Sequence, residues 1–225
     1  MTAPVPLLFE NVKLPGLKGD GLNLEVGAHS ATSIIGKATT GVNSIGAIAL
    51  GLIAPTEGRA LLYGETVADM RRHQALAFRR KVGYLPAGDG LLQNLSLCDN
   101  VALPLRFGSD FAERETDSRV SVMLSLFGIE DVADIRPAAA TEEQRRRTAL
   151  ARALAFDPKL VILEQFFDGL TPRAGSILLD LALGGVSAEG SRRALLITGQ
   201  YLPERIKPRI ENTYRITGGS LASDD

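Results

Sequence analysis

Short apolar runs open the chain. Leu7–Lys13 (LLFENVK), Leu22–Val26 (LNLEV) and Ala31–Ile35 (ATSII) have strand length and are divided by glycine and turn residues. The period then changes. Ile45, Ile48, Ala49, Leu52 and Ile53 recur at i, i+3, i+4, i+7 and i+8, which predicts a helix with one apolar face, ended by Pro55. GRALLYG predicts a further strand, MRRHQALAFRR a short basic helix, and VGYLP another strand.

From Ala87 to Pro137 the pattern is helical. Ser96 or Asp99 can cap a helix through NVALPL, with Pro104 limiting its length. Phe111 to Phe127 predicts an amphipathic helix with Val120, Met123, Leu124 and Phe127 inward. Pro137 breaks the chain, and Glu142 to Ala155 predicts the next helix. KLVILE is continuously apolar, as a strand covered on both faces requires. RALLIT follows an intervening helix. NTYRIT and GGSL close the chain as a hairpin, and the acidic end, ASDD, is expected to fray. Strands alternating with helices predict an α/β sheet with a helical insertion.

Composition narrows the role. The 225 residues carry a net charge of −1, which gives no basic field for nucleic acid. The single cysteine, Cys98, excludes an internal disulfide and sits in an apolar run, where it reads as core filler. MTAPVPLLFE lacks the basic and apolar regions of a signal peptide. IGAIALGLIAP falls short of the roughly 20 residues of a membrane span, so a membrane role has to come through a partner. His29 and His73 are isolated, and no metal site is expected. The basic group Arg71, Arg72, Arg79, Arg80 and Lys81 reads as a solvated helix face.

Candidate chemistry begins at IIGKATTGVNSIG. A strand, a glycine-bearing loop and a helix follow one another here, the context of a phosphate-binding loop. Gly36 and Gly41 allow tight turns that aim N–H groups at an anion. No lysine follows the second glycine; that position is Val42.

The order of segments resembles the nucleotide-binding domain of ABC transporters over nearly the whole chain. RRRTALARALAFDPKLVILEQFFDGLTP resembles the family's post-signature helix, Walker B strand and D-loop; NLSLCDNVALPLR and GLIAPTEGRALLYG resemble two further segments. The short chain and DNVALPLR resemble the branch serving bacterial lipoprotein and Mce-linked phospholipid transport. The resemblance implies an α/β fold of the P-loop NTPase-like ABC ATPase type. It has a mixed sheet, an N-terminal antiparallel β region and an inserted helical subdomain at about residues 87–140, in one domain over residues 1–225.

On that resemblance, the cofactor-binding positions are Gly36, Lys37, Ala38, Thr39, Thr40, Gly41, Val42, Asn43 and Ser44. Thr39 replaces a glycine, Val42 the lysine that grips the β and γ phosphates, and Asn43 the hydroxyl that holds Mg²⁺. Lys37 is a conceivable substitute ligand. Glu164 stands for the Walker B aspartate, Gln165 for the catalytic glutamate and Gly199 for the switch histidine. Ala87 stands for the Q-loop glutamine, Thr171 for the D-loop aspartate, and Leu14 or Pro15 for the adenine-stacking ring. A neutral amide orients water but cannot accept its proton. The signature reads ATEEQ: Thr141, Glu142, Glu143 and Gln144 follow Ala140. Two carboxylates there oppose a triphosphate, while Thr141 and Gln144 fit a capping box. Arg145, Arg146 and Arg147 are expected to pair with Glu142 and Glu143.

Both halves of the composite ATP site are therefore altered in one chain. Loss of a general base alone costs about 10²–10⁴ in rate. The expectation is a pseudo-ATPase with little hold on ATP and Mg²⁺. It would sit peripherally at the cytoplasmic membrane face and dock a permease, a second ABC ATPase subunit or a copy of itself. The alternatives are an ATPase using Glu164 as base or Lys37 as phosphate ligand, and a soluble regulator or scaffold.

Overall fold

A computed structural model describes residues 4–15, 19–108, 111–184, 192–217 and 220–224. Strands β1 (Leu7–Lys13), β2 (Leu22–Val26) and β4 (Glu57–Leu62) form an antiparallel sheet in the order β2-β1-β4. A six-stranded sheet is ordered β5-β6-β7-β3-β8-β9. Its members are β3 (Ala31–Ile35), β5 (Val82–Leu85), β6 (Leu160–Glu164), β7 (Ala194–Gly199), β8 (Asn212–Thr217) and β9 (Ser220–Ser223). All neighbours are parallel except β8 and β9, so the sheet is mixed.

The central strands are apolar throughout because both faces are covered. Val161 and Leu163 of β6, with Leu195 and Ile197 of β7, face a core shared with the helices. Those helices are α3 (Leu97–Gly108), α4 (Glu113–Phe127), α5 (Glu142–Leu154) and α6 (Pro172–Leu183). Leu160, Ile162, Ala194 and Leu196 face a second core with the antiparallel sheet and α1 (Ile45–Ala49). Helix α2 (Arg72–Arg79) lies between β4 and β5 in sequence. Helices α3 and α4 supply the inserted subdomain, and Val120, Met123, Leu124 and Phe127 are buried as their spacing predicts.

Four sequence expectations need correction. Helix α1 ends at Ala49, because Gly51 turns left-handed at φ 62°, and Leu52 and Ile53 emerge 54% and 42% exposed. Arg79 donates to Leu50 O and Gly51 O, closing that end. Helix α3 runs on through Pro104. Buried Leu97, Val101, Ala102 and Leu105 hold it on both sides of the proline, and Ser96, accepting from the Asp99 N–H, caps its start. The acidic end is tied down through Asp224, whose carboxylate meets Arg215 and whose N–H donates to Thr213 O. In the arginine run only Arg147 meets Glu143, at 2.7 Å; Arg145 turns to Asp89, and Arg146 is buried. The hairpin turn itself, 218–219, lies outside the described residues.

Candidate functional site

The glycine-bearing loop folds between β3 and α1 as two short 3₁₀ turns, Ala38–Thr40 and Val42–Ser44, hinged at Gly41 with φ 73°. Its own carbonyls answer several of its amides. Thr40 N–H donates to Lys37 O at 2.8 Å, Gly41 N–H to Ala38 O at 3.4 Å and Ser44 N–H to Gly41 O at 2.9 Å. The Thr40 hydroxyl also donates to Lys37 O, at 2.6 Å. Gly36 N–H donates to Gly199 O at 2.9 Å, joining the loop to the end of β7. A Cβ on Gly36 would stand 2.4 Å from the Thr40 hydroxyl oxygen, so a larger residue there would have to displace that side chain.

Val42 is fully buried, within the same core as Ile34, Ile45 and Leu196. The side chain at the lysine position thus packs inward. Lys37, Ala38 and Thr39 are exposed on the loop's outer side. Asn43 faces Gln165 across the site, with Gln165 Nε2 donating to Asn43 Oδ1 at 3.3 Å. Gln165 holds a left-handed backbone at φ 48° and donates its own N–H to Thr198 O. Left-handed backbone in a residue other than glycine is uncommon and concentrates at functional sites.

Glu164 is the centre of the cluster. It ends β6, is 2% exposed, and accepts from three donors of its own chain. Gly46 N–H reaches Oε1 at 3.0 Å; the Tyr84 hydroxyl and the Ala87 N–H reach Oε2 at 2.9 and 3.3 Å. Burial raises the carboxyl above its usual range, and the three donors oppose that rise. Burial, with the Glu164 charge next, raises the Tyr84 phenol in turn. The fit is close: a Cβ on Gly46 would stand 2.6 Å from Glu164 Oε1 and 2.9 Å from the Tyr84 ring. Sequence reasoning passed over Gly46 and Tyr84. Both lie on elements it predicted, but their meeting with Glu164 spans 118 and 80 residues.

The structure therefore gathers Gly36, Asn43, Ala87, Glu164, Gln165 and Gly199. The ATEEQ segment shares no hydrogen bond with that cluster among the described residues. Thr141 caps α5, accepting from the Gln144 N–H at 3.2 Å while Gln144 Oε1 accepts from the Thr141 N–H at 2.8 Å. Glu142 lies over Gly169, where a Cβ would stand 2.0 Å from its carboxyl carbon. Glu143 pairs with Arg147, and Thr171 caps α6. Leu14 is buried in the core and Pro15 is exposed, so Leu14 offers no open surface to a base.

A second feature is a groove of about 480 Å³ between the basic helix and the inserted subdomain. Leu76, Tyr84, Leu103, Phe107 and Phe156 line it, with Arg80 and Arg152 among them. Phe107 is 81% exposed.

The profile of the family described as "ABC transporter" matches residues 20–166. The methionine import ATP-binding protein MetN 2 of Pseudomonas aeruginosa is 31% identical over 186 residues, 83% of this chain and 55% of that protein. The intermembrane phospholipid transport system ATP-binding protein MlaF of Haemophilus influenzae is 29% identical over 162 residues, 72% of this chain and 61% of that protein. The chain thus spans little more than half the length of these curated relatives. Among solved structures, a dimeric post-hydrolysis state of the ATP-binding cassette MJ0796 bound to ADP and Pi superposes with a TM-score of 0.83 at 22% identity, covering 96% of this chain and 98% of that one. The family profile covers more than half of the chain and the relative at 31% identity most of it, and the chain belongs to the ATP-binding domains of the ABC transporter family.

Proposed function

We propose that this ABC domain, a single unit over residues 1–225 with its helical insertion at about 87–140, serves as a partner-docking subunit that does not hydrolyse ATP efficiently. The observation that carries this reading is the engagement of Glu164. The carboxylate that would hold Mg²⁺ is already met by Gly46, Tyr84 and Ala87. The residues present do not fit Mg²⁺-ATP. Val42 is inside the core, Asn43 is bonded to Gln165, and Glu142 and Glu143 add negative charge at the signature. Gly36–Ser44, Ala87, Glu164, Gln165, Gly199 and Thr141–Gln144 are, in this reading, the altered equivalents of a nucleotide site. The use of Glu164 as a general base is disfavoured, because both its oxygens already accept hydrogen bonds.

Docking is supported by the apolar groove beside Phe107. No helix among the described residues is long and apolar enough to cross a membrane. A permease in the membrane is the partner such a groove serves in a transporter, and the named relatives act in methionine import and phospholipid transport. The dimeric state of the superposed cassette makes a second ATP-binding subunit or a second copy a further neighbour. The subunit would sit at the cytoplasmic membrane face. Affinity isolation from solubilised membranes tests the docking half. An integral membrane protein should accompany the chain and be lost with Phe107→Asp; recovery of soluble proteins alone would favour a regulator or scaffold.

A further inference from the structure

We propose that the pocket between the start of α6 and the loop after β7 binds a small monocarboxylate with an aryl body. It is separate from the groove beside Phe107 and does not depend on the docking reading. The pocket holds about 370 Å³, within the size range of small-molecule sites. Phe167, Leu170, Pro172, Tyr201 and Ile206 are among the residues that line it, so its character is largely apolar, with two aromatic residues. The Tyr201 hydroxyl donates to Phe167 O at 3.0 Å, which anchors the side chain while leaving the residue half-exposed. Aromatic residues held in this way suit a flat hydrocarbon ligand.

Three sources of positive potential favour an anion there. Thr171 caps α6 and Pro172 opens it, and both line the pocket, so the positive end of that helix lies at it. Arg205 also lines the pocket; it is exposed and has no ion pair among the described residues. Arg146 of α5 is 5% exposed, and its Nη1 finds no hydrogen-bond partner. Its charge reaches Tyr201: burial and then the Asp168 carboxylate raise the phenol above its usual range, and Arg146 opposes them. A buried cation left unpaired favours a nearby anion, because the surrounding dielectric is low. Against these stand Asp168 and Glu204, and Glu204 is already met by Lys207 at 2.9 Å. One exposed cation and one helix end match a single carboxylate, and the two aromatic residues match its body.

The experiment titrates the whole chain with 3-phenylpropanoate and reads ¹⁵N shifts at the Leu170, Gly175 and Ile206 amides, with sedimentation alongside. Saturable shifts should give a Kd on the order of 1 mM or tighter, a modest affinity for so small a ligand. The neutral 3-phenylpropanol should bind about tenfold more weakly, since it forgoes the helix end and the ion pair. Arg205→Gln should weaken the carboxylate about threefold, the scale of an exposed ion pair, and leave the alcohol unchanged. Gly175→Ala, whose Cβ would stand 3.2 Å from the Phe167 ring, should weaken both ligands and so locates them in this pocket. Equal binding of acid and alcohol, or shifts that saturate elsewhere on the chain, overturns the proposal. So does the absence of any saturable shift, including the case in which sedimentation shows a dimer whose second copy already closes the pocket.

Discussion

Gly46→Ala should destabilise this protein, against the usual direction for such a change in a helix. Alanine is favoured over glycine within a helix by about 1 kcal/mol, and Gly46 lies inside α1. The added methyl, however, would meet Glu164 Oε1 at 2.6 Å, the Tyr84 ring at 2.9 Å and Ile162 at 3.0 Å. Overpacking of this kind costs about 1–3 kcal/mol. Pushing the carboxylate away also weakens the 3.0 Å bond from the Gly46 N–H, and hydrogen bonds to charged groups contribute about 1.5–3 kcal/mol. These costs exceed the helical gain, leaving a net loss of about 2–4 kcal/mol. With a urea slope of about 3 kcal/mol per molar, the unfolding midpoint should fall by about 1 M. The same substitution in Glu164→Ala should cost at least about 1 kcal/mol less, because the nearest obstacle is gone. An unchanged or raised midpoint for Gly46→Ala would refute the seating of Glu164 against α1.

Two further outcomes follow from the same cluster and its neighbour. The stability of the parent relative to Glu164→Gln should be greatest below the ordinary glutamate value of 4.5 and fall as pH rises through the elevated value of the folded protein, levelling above it; urea midpoints from pH 4 to 8 measure this, and a difference that grows with pH contradicts it. Thr141→Ala removes the acceptor for the Gln144 N–H and should cost about 1 kcal/mol, or about 2–4 °C in a thermal melt, with no change at Glu164.

The central strands were legible because they are short, apolar runs bounded by turn residues; their alternation with helices predicted an α/β sheet with a helical insertion, and the mixed sheet came from the family resemblance. What failed was local. The apolar spacing ran on through Leu52 and Ile53, but Gly51 took a left-handed backbone and ended α1 before them. Pro104 read as a stop because its lost hydrogen bond is visible in sequence, whereas the burial of Val101, Ala102 and Leu105 that outweighs it is not. At the site, substitutions at Val42, Asn43, Glu164 and Gln165 were visible as changes of residue type. Their new partners were not. The inward packing of Val42, the Asn43–Gln165 bond and the three donors on Glu164 depend on contacts between segments distant in sequence. The capping box at Thr141 was readable because both partners lie within one helical turn.

Phosphate release from Mg²⁺-ATP by the purified chain, measured beside Glu164→Ala, tests most directly whether this nucleotide-binding fold has given up turnover. We expect both proteins to match the buffer blank at saturating nucleotide. Sustained release at about 1 s⁻¹ or faster, within the ordinary range of enzyme turnover, that Glu164→Ala abolishes would contradict the proposal and make Glu164 a working catalytic group.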